Sequence, residues 1–317
     1  MNRSTGLSIR LSVAVFGCAL ALPLAGAFFP TTGTATAPAE ASVKLKITVG
    51  KETTYLTDAP VRPDGTVDYV KAYNAIQGKG VTAENNAFIP ILKIVGPGGI
   101  LEKNRAATLE ALGIKNLPTD GSYFTGLSEY LKAQGVGGEA AKAISGQMSA
   151  AFAHWDAGKY PKLAEWVNAN GKQLDAAADA VTRDRWYVPA VANDYMIDIL
   201  VRDNKTVGEL AGCLALRATI RAADGQVEGA WKDALTVHRL GRLESEGGRL
   251  PERLVGWGIG NQMIIPDRAL LSSGKLSAAQ ARACLADLQK LPPLGNFVDS
   301  ANCERLTNQF TIYLTSR

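Results

Sequence analysis

The sequence predicts a mainly α-helical fold of stacked antiparallel helix hairpins, with a solenoid as one form such stacking takes, opened by a small N-terminal β-hairpin. Three observations carry this prediction. Apolar residues recur at three- and four-residue spacings over most of the chain beyond residue 60, the period of a helix face. Period-two alternation is confined to one short stretch before that. Glycine and proline punctuate the helical runs at intervals suited to short helices joined by tight turns. Hydrophobic residues make up 46% and charged residues 20% of the 317 positions, so the chain buries a core rather than staying disordered, in one large domain or two modest ones.

Taken in order, residues 1–27 read as a secretory signal. Arg3 and Arg10 form a positive start, and Leu11 through Phe29 run without a charge. Pro23 breaks the helix just before Ala25-Gly26-Ala27, whose small side chains suit signal peptidase, so cleavage is expected after Ala27. The uncharged run also approaches the roughly twenty residues that span a bilayer, which leaves an uncleaved membrane anchor as the alternative. A lipoprotein signal at Gly17-Cys18 is disfavoured by bulky Phe16 and by the apolar run beyond the cysteine. Residues 28–43, rich in Thr, Ala and Pro, read as a tether.

The folded domain is expected over 44–317. Leu45, Ile47 and Val49 alternate with Lys44, Lys46 and Thr48, and Thr53 to Leu56 returns, giving a β-hairpin over 44–57. Val67, Val70, Tyr73 and Ile76 then follow helical spacing up to Gly78. A helix capped by Thr82 carries Phe88, Ile91, Leu92 and Val95, with Pro90 expected to bend it. Further helices are predicted over Leu101–Leu112, Leu127–Gln134, Glu139–Trp155, Pro161–Asn168 and Lys172–Thr182. Pro161 suits a first helical position. Thr206 to Glu209 and Ser277 to Gln280 both fit the capping box, which marks two helix starts. One helix is expected to run from there to Asp224-Gly225, the next over Glu228–Leu243 and a third over Leu254–Leu271. A last pair flanks Leu291-Pro292-Pro293-Leu294-Gly295.

Small residues suggest how these helices meet. Ala211, Ala215, Ala218 and Ala222 share one face, and Ala230, Ala234, Val237 and Gly241 repeat the spacing on the next helix. Gly256, Gly258 and Gly260 follow no strand, so they are read as a close-approach surface and not as a nucleotide fingerprint. Cys284 and Cys303 stand symmetrically about Pro292-Pro293. They form a candidate disulfide in an oxidising compartment, against the favoured alternative of separate buried thiols.

The run Trp155, Tyr160-Pro161, Trp166, Asn170, Leu174, Arg183, Tyr187 and Pro189, followed by Leu216-Arg217-Ala218, Ala230-Trp231-Lys232-Asp233, His238-Arg239-Leu240, Gly274-Lys275-Leu276 and Leu288 to Pro292, resembles an uncharacterised family of exported bacterial proteins. The similarity covers most of the chain after the tether. It implies export and helical architecture, and members of that family are longer, so the resemblance implies a C-terminally truncated copy here. It supplies no substrate.

Composition narrows the chemistry. The formal charge of +4 includes Arg3 and Arg10 of the leader, too little to argue for nucleic acid. Two histidines and four cysteines leave few zinc sites or nucleophilic triads open. No nucleophile elbow, phosphate loop or helical zinc-protease pattern is present. Gly274-Lys275 has Ala269 where a phosphate loop needs its first glycine, and reads as a helix C-cap. No cofactor and no metal are expected. Arg217 lies on the stripe of Leu210, Cys213 and Leu214, where it needs a carboxylate such as Asp233 or Glu228. Trp155, Trp166, Trp231 and Trp257 fall on apolar spacing and read as core. His238, Arg239 and Arg242 are the one polar cluster that offers a candidate contact to a ligand or partner, while the favoured reading of His238 is a semi-buried, hydrogen-bonded residue on the stripe of Trp231 and Leu235.

The function these features imply is an exported or membrane-anchored binding or scaffolding module of the cell envelope, outside the cytoplasm. Its partner is expected to be an envelope protein or polymer, with membrane contact only through the N-terminal segment. The alternative is an envelope hydrolase acting on polysaccharide or peptide, its site assembled from distant residues.

Overall fold

The structure, a computed structural model, describes residue 50, residues 56–191 and residues 200–315. Every described residue belongs to one compact unit, Lys44–Arg317. The leader and tether therefore lie outside the described residues, as does nearly all of the β-hairpin expected over 44–57. Among the described residues there is no strand. Two isolated bridges, Val61 with Val67 and Asn86 with Arg185, are the only β-type pairings there.

The described chain is mainly helical. In order it forms α1 (Tyr69–Gln77), α2 (Phe88–Val95), a 3-10 turn (Pro97–Gly99), α3 (Glu102–Ala111), α4 (Leu127–Ala133), α5 (Gly138–Gly146), α6 (Met148–Ala153), α7 (Pro161–Ala169) and α8 (Gly171–Ala180). Then come α9 (Leu200–Ala223), α10 (Val227–Glu244), α11 (Leu250–Gln262), α12 (Ile264–Ser272), α13 (Ala278–Gln289) and α14 (Phe297–Thr315). None of the described helices is long and apolar enough to cross a membrane.

Local chemistry accounts for most of these boundaries. Asp68 caps α1 by accepting from the Lys71 amide at 3.0 Å. Pro161 opens α7 at its first position, and Ser277 and Gln280 close a capping box on α13. Three expectations are corrected. Pro90 does not bend a helix begun at Thr82, because α2 begins at Phe88 and places the proline in its first turn, where a missing N–H breaks no bond. Thr206 is not an N-cap, since α9 already starts at Leu200. The helices expected over 139–155 and 254–271 are each broken, at Gln147 and at Met263. Pro266 explains the second break, because its ring would clash with the carbonyl four residues back if one helix ran on.

The core is organised around α9. It packs most extensively along α10, and also touches α2, α6, α7, α8, α11 and α12. This is one central helix with others around it, whereas in a solenoid each repeat meets only its neighbours, so the solenoid form of the expectation is not what the packing gives. Gly225, at φ 79°, supplies the left-handed residue of the three-residue turn that folds α10 back antiparallel on α9. Ala211, Ala215, Ala218 and Ala222 are buried, as are Ala230, Ala234, Val237 and Gly241. Gly241, however, meets α11. Around this centre Trp166 is buried and donates to the Thr125 carbonyl at 2.8 Å, and Phe88 meets Trp186 edge-on with ring centroids 5.4 Å apart.

The last two helices do not zip together through their cysteines. α13 packs on α10, while α14 packs on α1 and α11, and Cys213, Cys284 and Cys303 are free thiols. Lys275 turns its ammonium onto the Ala222 and Ala223 carbonyls at the end of α9, where a cation answers the helix dipole.

Candidate functional site

The site is built on α10, whose inner face is locked before its outer face is presented. Asp233 is fully buried and accepts two hydrogen bonds from Arg217, Nε at 2.9 Å and Nη2 at 2.7 Å, and a third from Arg221 Nη1 at 2.7 Å. A bidentate pair of this kind fixes the rotation of α10 relative to α9. Arg217 also reaches Asp175 Oδ1 at 2.9 Å and thereby ties α8 to the pair. Asp233 is thus the carboxylate that Arg217 requires.

With that face inward, Arg239 and Arg242 lie three residues apart on the opposite side and line one recess of about 330 Å³. The segment after α8 adds Thr182, Arg183 and Asp184, and the end of α13 with its following turn adds Asp287, Lys290 and Pro292. Four cations face two carboxylates. His238 is not part of this lining: its Nε2 lies 3.0 Å from Asp267 Oδ2 on α12 and its side chain is 13% exposed. The three candidate contact residues are therefore split, two to the recess and one to a hydrogen-bonding partner, which is the semi-buried role favoured for His238.

Most charges in the recess are already engaged. Arg183 Nη1 donates to the Ala83 carbonyl at 2.8 Å and the Asn86 carbonyl at 2.9 Å, and Arg242 Nε donates to the Pro292 carbonyl at 3.0 Å. Lys290 faces Asp287 at 3.6 Å, and the second Asp287 oxygen accepts from Trp231 Nε1 at 3.1 Å. Among the cations Arg239 is the exception. It is half-buried and forms no hydrogen bond or ion pair with any described residue. Exposed Asp184 likewise forms no hydrogen bond or ion pair with any described residue.

The arrangement suits capture of an anion. Among the described residues no hydroxyl or thiol donates to His238, so the His238–Asp267 pair does not extend into a nucleophilic triad. Cys284 on α13 has its pKa raised, by burial first and then by Asp287 and Asp267, which holds it as a neutral thiol. No group of three or more His, Cys, Asp or Glu is placed to hold a metal among the described residues. Arg183 and Lys290 are the cations that sequence reasoning misses. They lie about fifty residues from Arg239 on either side, and nothing local to them signals the meeting. Comparison with protein-family models, with curated proteins and with solved structures finds no match to this chain.

Proposed function

We propose that the chain is a binding or scaffolding module of the cell envelope, held or released outside the cytoplasm by its N-terminal segment. In this reading the Arg239–Arg242 face takes an anionic group of an envelope polymer or protein. One observation carries the reading: Arg239 stands half-buried and unpaired in a recess where the neighbouring cations are engaged. A guanidinium in that setting recognises carboxylate or phosphate in a planar, bidentate way, and the partial burial strengthens the contact. The charge-free run after Arg10 and the resemblance to exported bacterial proteins support the compartment.

Two measurements test it. Residues 1–42 fused to a reporter active only outside the cytoplasm are expected to give activity. The purified chain is expected to be retained on an insoluble acidic polysaccharide in low salt, less so in high salt, and to pass through a neutral one. The double variant Arg239→Gln/Arg242→Gln loses the retention, and His238→Ala keeps it. Equal retention of the double variant, or equal binding to the neutral polymer, defeats the reading. A hydrolase draws support from the His238–Asp267 pair alone, and turnover of the polymer that disappears in Asp267→Asn would replace the binding module with it.

A further inference from the structure

A buried arginine needs an answer to its charge. Arg217 and Arg249, 7% and 3% exposed, each hold a carboxylate, on Asp233 and Glu252. Arg253, one turn beyond Arg249 on α11 and 2% exposed, holds none. Its Nε and Nη1 are shut away from solvent without a hydrogen-bond partner, and it forms no ion pair with any described residue. Burial lowers its pKa, and Asp299 is the largest charge acting the other way.

The surroundings are shaped around this group. A β-carbon on Gly295 would collide with the guanidinium and with the Ser245 carbonyl, so glycine is what lets the turn before α14 lie against Arg253. Beside it opens a cavity of about 380 Å³, within the size range of small-molecule sites, with Gln77 and Asn302 among its polar walls and Leu306 among its apolar ones. The Gln77 amide is held in place by donating to Cys303 Sγ at 2.9 Å.

Two carboxylates reach the cavity. Glu246 is engaged, its Oε2 accepting the Trp186 N–H at 3.1 Å and facing Arg185 Nε at 3.7 Å. Asp299, exposed in the first turn of α14, has no hydrogen bond or ion pair with any described residue. A cation without an ion pair lies deep, and a carboxylate without one stands at the rim, its charge acting on the first without contact.

We infer that this cavity binds a small zwitterion, a free amino acid or dipeptide, with its carboxylate on Arg253 and its ammonium toward Asp299. A simple anion would satisfy Arg253 and be repelled by Asp299, while a simple amine would leave the guanidinium unanswered. An inorganic oxyanion would leave most of the cavity, including its apolar wall, unfilled. The site shares no residue with the Arg239 recess, so each stands or falls alone.

The test titrates the full chain, by calorimetry and by thermal shift, with the twenty free amino acids and dialanine. Each is set beside the amine that lacks the carboxylate and the acid that lacks the ammonium. At least one zwitterion is expected to bind, with both truncated forms weaker. Arg253→Gln is expected to weaken it by about 10–100-fold, the scale of a lost hydrogen bond to a buried charge. Asp299→Asn weakens the zwitterion and strengthens the deaminated acid, whose repulsion it removes. If Arg253→Gln does not fold, Asp299→Asn, a surface change, decides the matter. Absence of binding by the whole panel overturns the assignment. So does an acid that binds as tightly as its amino acid and is indifferent to Asp299→Asn.

Discussion

Gly256 of α11 lies backbone to backbone on Gly241 of α10: a β-carbon on Gly256 would stand 2.6 Å from the Gly241 carbonyl oxygen. Ser245 closes the same spot from the following residues. The rigid neighbours are main-chain atoms, which cannot rotate aside. Gly256→Ala is therefore expected to cost about 1–3 kcal/mol by overpacking, even after the helix-propensity gain of alanine. Gly258, two residues on, meets nothing within 4 Å and is exposed. Gly258→Ala should stabilise by about 0.5–1 kcal/mol through the reduced entropy of the unfolded chain. Denaturant titration of the two variants reads opposite signs, and equal signs would show that the glycine contact does not set the crossing of α10 and α11.

Asp233 carries the next prediction. Replacing it with alanine strands two guanidinium groups, of which Arg217 is nearly buried, and the expected loss is about 3–5 kcal/mol. Asp175 also pairs with Arg217, yet its side chain is 68% exposed. Water can replace that contact, so Asp175→Ala should cost about 0–1 kcal/mol. Chemical denaturation separates these magnitudes easily.

The legible parts of this fold are those in which cause and consequence are close in sequence. Ser277 and Gln280 are three residues apart and cap a helix as their spacing predicts. Arg217 and Asp233 face each other because a tight turn folds one helix back on the other, so the need of the first points to the second. Thr206 misled because a capping motif has the same letters inside a helix as at its start, and only the residues before it, packed or not, decide between the two. Pro266 signals a break, but so does any proline in a first turn, and the spacing of apolar residues runs across Met263 unchanged. Of the site, Arg239 and Arg242 were readable as neighbours on one helix face. The partition that sends His238 to Asp267, and the arrival of Arg183 and Lys290, depend on how α8, α12 and α13 pack on α10, which no local pattern encodes.

Glu209 supplies a dependence on pH. Its carboxylate and that of Glu129 both crowd the Gly126 backbone, and Lys205 stands 3.6 Å away. Burial raises the Glu209 pKa, and Glu129 raises it further against the opposing pull of Lys205. The folded state therefore keeps the proton to a higher pH than the unfolded chain does. Stability from this group is fully present below the unfolded value, near 4.3, and is lost as pH rises through the folded pKa. Glu209→Gln cannot ionise, so it should be more stable than the unaltered chain at neutral pH, with the gap closing on acidification. Melting temperatures measured across this range test the sign, and a gap that widens in acid would contradict it.

The cysteines give the last prediction, because their environments separate them. Cys303 is 2% exposed and its pKa is pushed up to about 11, by burial first and then by Glu252. Cys213 is fully buried on α9, and burial pushes its thiol further still. Alkylating reagents attack the thiolate, so at mildly alkaline pH neither group offers much of the reactive form or a path to it. Cys284 is only partly buried, and its shift is smaller than that of the other two. Of the described cysteines, native alkylation should label Cys284 alone, located by peptide mass mapping. Once the chain is unfolded without reductant, Cys213 and Cys303 should react as well, since none of the three is in a disulfide. The total then reports on the leader. Three labels are expected after cleavage beyond Cys18, and four if the N-terminal segment is retained. A single label after unfolding would mean that Cys284 or Cys303 is held in a disulfide, and would require α13 and α14 to pack differently.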